Sequence, residues 1–238
     1  MSFVASTSAN RVAGAIAATS ANRTVGAIAA TTAMRVADDL RRRILHGDFL
    51  PGQRLKIDEL ASLCAVSHMP VRAALQELEA EGVLELSPHR GAVIRGVDVD
   101  FIRNLYDVRE AIEGMLTERC TERIDKAGLA KLHKAVDSYE QAAKRRNTDA
   151  LLEANRDIHD TINAVAANPV AVRVLGQGRL LIEALRFRYG YGKGRVDTVV
   201  DQHRALLRAI ARHDIERAGR LAREHCISAR DDLLVLFK

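Results

Sequence analysis

The stretch Ile57–Gly82, IDELASLCAVSHMPVRAALQELEAEG, constrains the fold of this chain more than any other. Ile57, Leu60, Ala61 and Cys64 recur at i, i+3, i+4 and i+7, which is one apolar face of a short helix. Ala65-Val66 marks a tight corner. Ser67 is a candidate N-cap for a second helix, and Pro70 fits its first turn, where a missing N–H costs little. Val71, Leu75 and Leu78 continue as the buried side, and Gly82 ends the helix. The outward, N-terminal end of that helix carries His68, Met69, Arg72, Ala73 and Gln76. A helix-turn-helix reads base edges in the major groove with that end.

Two short strand-like runs follow, Val83–Leu86 and Ala92–Ile94, around Ser87-Pro88-His89-Arg90-Gly91. Pro and Gly make the turn between them. A helix-turn-helix followed by a hairpin with a basic tip is a winged helix. A generic small α+β domain is the plainer reading. Against it stand Ser67, Pro70-Val71-Arg72, Ala74-Leu75, Leu78-Glu79, Glu81-Gly82 and Arg90-Gly91, all in order. On these residues the segment resembles the GntR family of bacterial transcription regulators. Leu40–Gly47 and Leu50-Pro51-Gly52-Gln53-Arg54-Leu55 resemble that family's first helix and the turn after it. The resemblance implies DNA contacts from His68, Pro70 and Arg72 on the helix and from His89, Arg90 and Gly91 on the wing. The chain departs from the family pattern in two places. His68 stands where the family usually has Arg, and Asp58 stands where some relatives use a base-contacting Arg. The operator sequence is therefore not transferable from better-known members.

The formal charge of +5 suits a DNA binder without proving one. Cys64, Cys120 and Cys226 are scattered and odd in number, which argues against a disulfide framework and for a reducing cytoplasm. No apolar run approaches the roughly 18 residues of a membrane span. Residues 1–32 are set apart by a near-repeat: Ala9–Thr19 returns almost intact as Ala21–Thr31. The offset is not a whole number of helical turns, so the copies do not stack into one stripe. The segment lacks the compact apolar core of a signal peptide. It reads as a poorly ordered arm, or as a frayed helix against a partner subunit or DNA. Ordered structure is expected from Thr32 or Ala33, and residues 33–97 form the winged-helix domain. Arg35, Arg41, Arg42 and Arg43 on its first helix read as a solvated or phosphate-facing surface.

Past Val97 the strand signals stop and helical periods take over. Residues 98–238 read as an all-α antiparallel bundle of six helices. They run from Asp98 or Asp100 to about Ala127, from Leu129 to Arg146, from Thr148 or Asp149 to Ala167, from Pro169 to a basic Gly/Tyr loop at Arg186–Arg195, over about 197–212, and over about 214–237. The chain as a whole is mainly α.

Asn155 and His159 stand at i, i+4 and face the same way. His203 and His225 lie on either side of the corner at His213-Asp214, each about 15 Å away at about 1.5 Å per residue, so a helix hairpin brings them level. Three imidazoles and one side-chain carbonyl can converge on a divalent metal with open positions. Singly, each His is better explained as a surface or satisfied core residue, and only the hairpin symmetry and the i, i+4 pair favour a site. Tyr106, Arg109, Ile112-Glu113, Asn155, His159, Ala167-Asn168-Pro169, His203, Ala209-Ile210 and Glu224-His225 also resemble the FCD effector domain of FadR-type regulators, in its six-helix, VanR-like version. That resemblance implies a metal on Asn155, His159, His203 and His225, with Zn the first choice and Ni, Mn or Fe as alternatives. It implies a small organic acid beside the metal, Arg109 reaching its carboxylate, and a homodimer on an inverted-repeat operator in double-stranded DNA. Four neutral ligands would leave the ion its full charge, which favours an anionic effector. A repressor controlled by that effector is the expected function. A metal-dependent hydrolase using the His cluster lacks a carboxylate marked out as general base. An architectural DNA binder would have a dry bundle core.

Overall fold

The computed structural model describes residues 31–87 and 91–237. The repeated arm, apart from Thr31 and Thr32, and the wing-tip residues His89 and Arg90 lie outside them. Helix α1 spans 31–46 and is already helical at Thr31. β1 (Arg54–Leu55), α2 (Ile57–Cys64), α3 (His68–Ala80), β2 (Leu84–Ser87) and β3 (Gly91–Ile94) complete the winged helix. The sheet runs β1-β3-β2, all antiparallel, with Leu84 opposite Ile94 and Arg54 opposite Val93. β1 falls where the sequence suggested only a turn. The corner between α2 and α3 is made by Ala65 in the left-handed conformation (φ 53). Ser67 is the N-cap of α3 by position, but its side chain makes no capping bond.

Leu40, Ile44, Leu75, Leu78, Leu84 and Ile94 are fully buried and fuse the three helices to the sheet. Arg41 is drawn into this framework. It bonds Asp38 at 2.7 Å, Glu77 at 2.5 Å and the side chain of Glu81 near the end of α3. Arg42 and Arg43 pair with Asp39 at 3.1 and 2.7 Å. Three of the four arginines read as a solvated or phosphate-facing surface thus carry carboxylate partners.

Seven helices follow: α4 (Val99–Arg123), α5 (Lys126–Arg145), α6 (Thr148–Ala166), α7 (Pro169–Gly176), α8 (Arg179–Tyr189), α9 (Arg195–Ala211) and α10 (Ile215–Leu236). The expected six becomes seven because the stretch after Pro169 breaks at Gln177-Gly178, where Gly178 takes φ +68. With that count the likeness to the six-helix, VanR-like version of the domain is set aside. The break is used. Gly178 N donates to Glu81 O at 2.9 Å, and Gln177 Nε2 donates to Ala80 O at 2.5 Å. Leu181 then buries itself in the winged-helix core. α4 stops earlier than expected because Asp125 caps α5, accepting from Gly128 N at 2.7 Å. α4 lies along α10, α6 packs on α4, α9 packs on α10, and α5 packs on α6 and α9, over Leu116, Leu132, Tyr139, Ile158 and Ile210. Among the described residues no helix is long and apolar enough to cross a membrane.

Gly91 has a structural reason to be glycine. Its φ is +85, and a Cβ there would lie 2.2 Å from the backbone oxygen of Leu55. Gly91→Ala should therefore separate β1 from β3 and destabilise the protein by about 1–3 kcal/mol. Thermal unfolding checks this, and an unchanged midpoint would contradict it.

Candidate metal and effector site

The bundle encloses a polar cavity of about 100 Å³ whose lining includes Arg109, Glu113, Asn155, His159, Arg195 and His225. α6 supplies Asn155 and His159 on consecutive turns, α9 supplies His203, and α10 supplies His225. The ligand-capable nitrogens of His159, His203 and His225 all lie within 4.8 Å of one another. The ring centroids are 5.0 Å apart for His203 and His225, and 5.6 Å for His159 and His225. The helix hairpin folded at His213 therefore brings the two distant histidines level, as their spacing suggested.

Each imidazole is set up differently. His225 Nδ1 lies 2.9 Å from Gln202 Oε1, so its N–H is on that side and Nε2 keeps its lone pair. His159 Nδ1 lies 3.4 Å from Glu113 Oε2, another oxygen acceptor. A ligating histidine is ordinarily held in this way by an acceptor on its far nitrogen. His203 is 1% exposed, and neither ring nitrogen has a partner. Buried polar atoms are rarely left so. Burial, reinforced by His159 and Arg195, pushes the pKa of His203 down to about 3. Burial also lowers His225 and His159. All three are neutral near pH 7, the form that binds a metal.

Glu113 is the residue that the sequence did not mark as part of the site. It is buried on α4, and the Cys226 thiol donates to its Oε2 at 3.2 Å. Arg109 Nη2 lies 2.6 Å from Oε1. That contact is an ion pair by distance rather than a well-aligned hydrogen bond, since Oε1 makes none. Burial alone would raise the Glu113 carboxyl, but Arg109 overcomes it and holds the pKa at about 2. Glu113 is thus an anion, and Arg109 is not a free cation awaiting an effector. The i, i+4 spacing of Arg109 and Glu113 was the available signal. Asp160 and Glu224 adjoin proposed ligands in sequence but take no part: Asp160 pairs with Arg179 at 3.0 Å, and Glu224 is exposed.

At the other end of the molecule, Arg72 is exposed on α3 with no ion pair or hydrogen bond among the described residues, and Met69 beside it is 74% exposed. His68 Nε2 lies 3.2 Å from Asp58 on α2, so the two departures from the family pattern face each other.

The FCD domain family matches residues 104–228, and the family described as bacterial regulatory proteins, gntR family, matches residues 32–94. The chain belongs to the GntR family and carries an FCD domain. It is similar to the HTH-type transcriptional repressor RspR of Escherichia coli (strain K12), at 23% identity over 186 residues, covering 78% of this chain and 82% of that one. The gluconate operon transcriptional repressor of Bacillus subtilis is 34% identical over 130 residues, 54% of this chain and 53% of the repressor. Among solved structures, E. coli McbR/YncC aligns with a TM-score of 0.72 at 20% identity, over 87% of this chain and 97% of that one, a likeness of fold. This GntR-family chain is a DNA-binding transcriptional regulator with an effector domain, and its family is one of regulators rather than enzymes.

The Arg109–Glu113 pair gives a stability prediction. Arg109→Met should cost about 3–5 kcal/mol by stranding a buried carboxylate, and adding Glu113→Gln should recover much of that loss. Denaturant titration of the single and double variants measures it. Equal losses in both would mean the pair is not coupled.

Proposed function

We propose that this regulator is a dimeric repressor whose operator binding responds to a small carboxylate held beside a divalent metal in the bundle cavity. The observation that carries the reading is the cluster of three neutral imidazoles, His203 and His225 buried and His159 partly so, in which both nitrogens of His203 are unpartnered. Asn155, His159, His203 and His225 would hold the ion. Zn²⁺ is the first choice for a nitrogen-rich set, with Ni²⁺, Mn²⁺ or Fe²⁺ as alternatives. When bound, the ion supplies a positive, Lewis-acidic centre for an oxygen of the effector. Glu113 adds a buried negative charge, but Arg109 offsets it, so the cavity still favours an anion. Arg109 contributes hydrogen-bond donors to the effector rather than a net charge.

His68, Pro70 and Arg72 read the operator from α3, and the wing through His89, Arg90 and Gly91 tracks the adjacent backbone. Two copies meet an inverted repeat. Repression follows the names of the relatives, RspR and the gluconate operon repressors. A regulator of chromosomal DNA works in the cytoplasm, and three free cysteines suit that compartment.

Arg72→Ala should weaken binding to the native operator by about 1–3 kcal/mol while changing non-specific binding little. Gel-shift titration on specific and scrambled duplexes tests this, and equal affinity for the operator would remove Arg72 from the interface. The double variant His203→Ala/His225→Ala should lose the metal, read by elemental analysis of protein dialysed against Zn²⁺. Retention of one ion per chain would put the metal elsewhere.

A further inference from the structure

The guanidinium groups that line the effector cavity differ in one respect. Arg109 has Glu113 at 2.6 Å, and Arg179 has Glu183 and Asp160, both at 3.0 Å. Arg186 has Asp232. Arg195 has no carboxylate within ion-pairing distance among the described residues. It is 6% exposed, and its Nη1 donates to two neutral oxygens, Gln202 Oε1 at 3.3 Å and Ser228 Oγ at 2.5 Å. Its Nε is buried without a partner, and among the described residues its Nη2 makes no hydrogen bond. A buried, always-charged fork with vacant donors costs stability unless something anionic meets it.

The chain goes to some length to put it there. Arg195 is the first residue of α9, where the helix dipole adds further positive potential. The loop before it is the basic Gly/Tyr stretch of the sequence. Gly190 and Gly194 take φ +69 and +75. Gly192 N donates to Asp232 at 3.2 Å, and a Cβ on Gly192 would lie 2.5 Å from that carboxylate. Asp232 is thus occupied by Arg186 and the loop backbone, and burial together with Arg186 lowers the pKa of Arg195. Gln202 Oε1 touches both Arg195 Nη1 and His225 Nδ1, so one side chain separates this cation from the histidine cluster.

We infer that Arg195 is a second anion anchor of the effector cavity, and that the effector is a short molecule with two carboxylates, one of them paired with Arg195. The inference rests on the cavity being the effector site, as proposed above. Its size, about 100 Å³, suits a skeleton of a few carbons rather than a long chain.

Calorimetry with matched acids tests it: butyrate against succinate, and hexanoate against adipate, each on Zn²⁺-treated and on chelator-treated protein. Wild type should prefer the diacid of at least one pair by on the order of 10- to 100-fold, the range of a charge-assisted hydrogen bond. Arg195→Met should reduce that preference to within about threefold. Arg195→Lys should keep part of the preference. Arg195→Met strands no carboxylate, so its thermal midpoint should hold or rise. A diacid preference that survives Arg195→Met overturns the inference, as does a wild type that prefers the monoacid or binds no acid of the panel. Failure to take up Zn²⁺ with the Arg195-dependent preference intact overturns the metal reading alone.

Discussion

The contact on which the molecule turns is the docking of the α7–α8 break against the end of the recognition helix. Gly178 N and Gln177 Nε2 both donate to carbonyls in the last turn of α3. Those are the orphan acceptors that a helix C-terminus leaves over. The end of α3 is satisfied by another part of the fold, and Leu181 seals the junction. The recognition helix is therefore positioned partly by the effector domain. The same segment reaches back to the cavity wall: Glu183 of α8 bonds Arg156 and Arg179, and Arg179 bonds Asp160. Arg156 and Asp160 flank Asn155 and His159 on α6. A contiguous run of packed and charged groups thus joins the cavity wall to α3.

The second organising constraint is the handling of buried charge. Arg109 and Glu113 neutralise each other, and Arg186 is used up by Asp232 and by the loop over the cavity. Burial keeps the three histidines neutral. What remains is a cavity with a surplus of positive charge at Arg195 and a cluster of unprotonated nitrogens one side chain away. Such an arrangement is costly in an empty core and becomes favourable with an anion inside. Ligand binding and stability are therefore linked in this fold, since whatever fills the cavity binds only the native state.

The sequence by itself determined the winged helix followed by a helical bundle, because both depend on local patterns. Apolar residues at helical spacing, the Ala65-Val66 corner and the glycine at 91 specify their elements almost alone. Asn155 with His159 and the hairpin symmetry of His203 and His225 were legible too, since helical rise and repeat decide which side chains share a face and a height. Only the tertiary structure decided the rest. The glycines at 176 and 178 mark the break at Gln177-Gly178 in the sequence, but that the break meets the last carbonyls of α3 only the packed chain decides. Arg41 looked like part of a solvated or phosphate-facing surface until Glu77 and Glu81, far along the chain, were found against it. Arg109 looked like a free reader of carboxylates until Glu113 was seen against it. Arg195 was one cation in a basic loop until each neighbouring guanidinium proved to have its own carboxylate. Periodicity records which way a residue faces within its own element, whereas the fate of a charge depends on what other elements bring within a few ångströms of it, and that is a property of the packed chain.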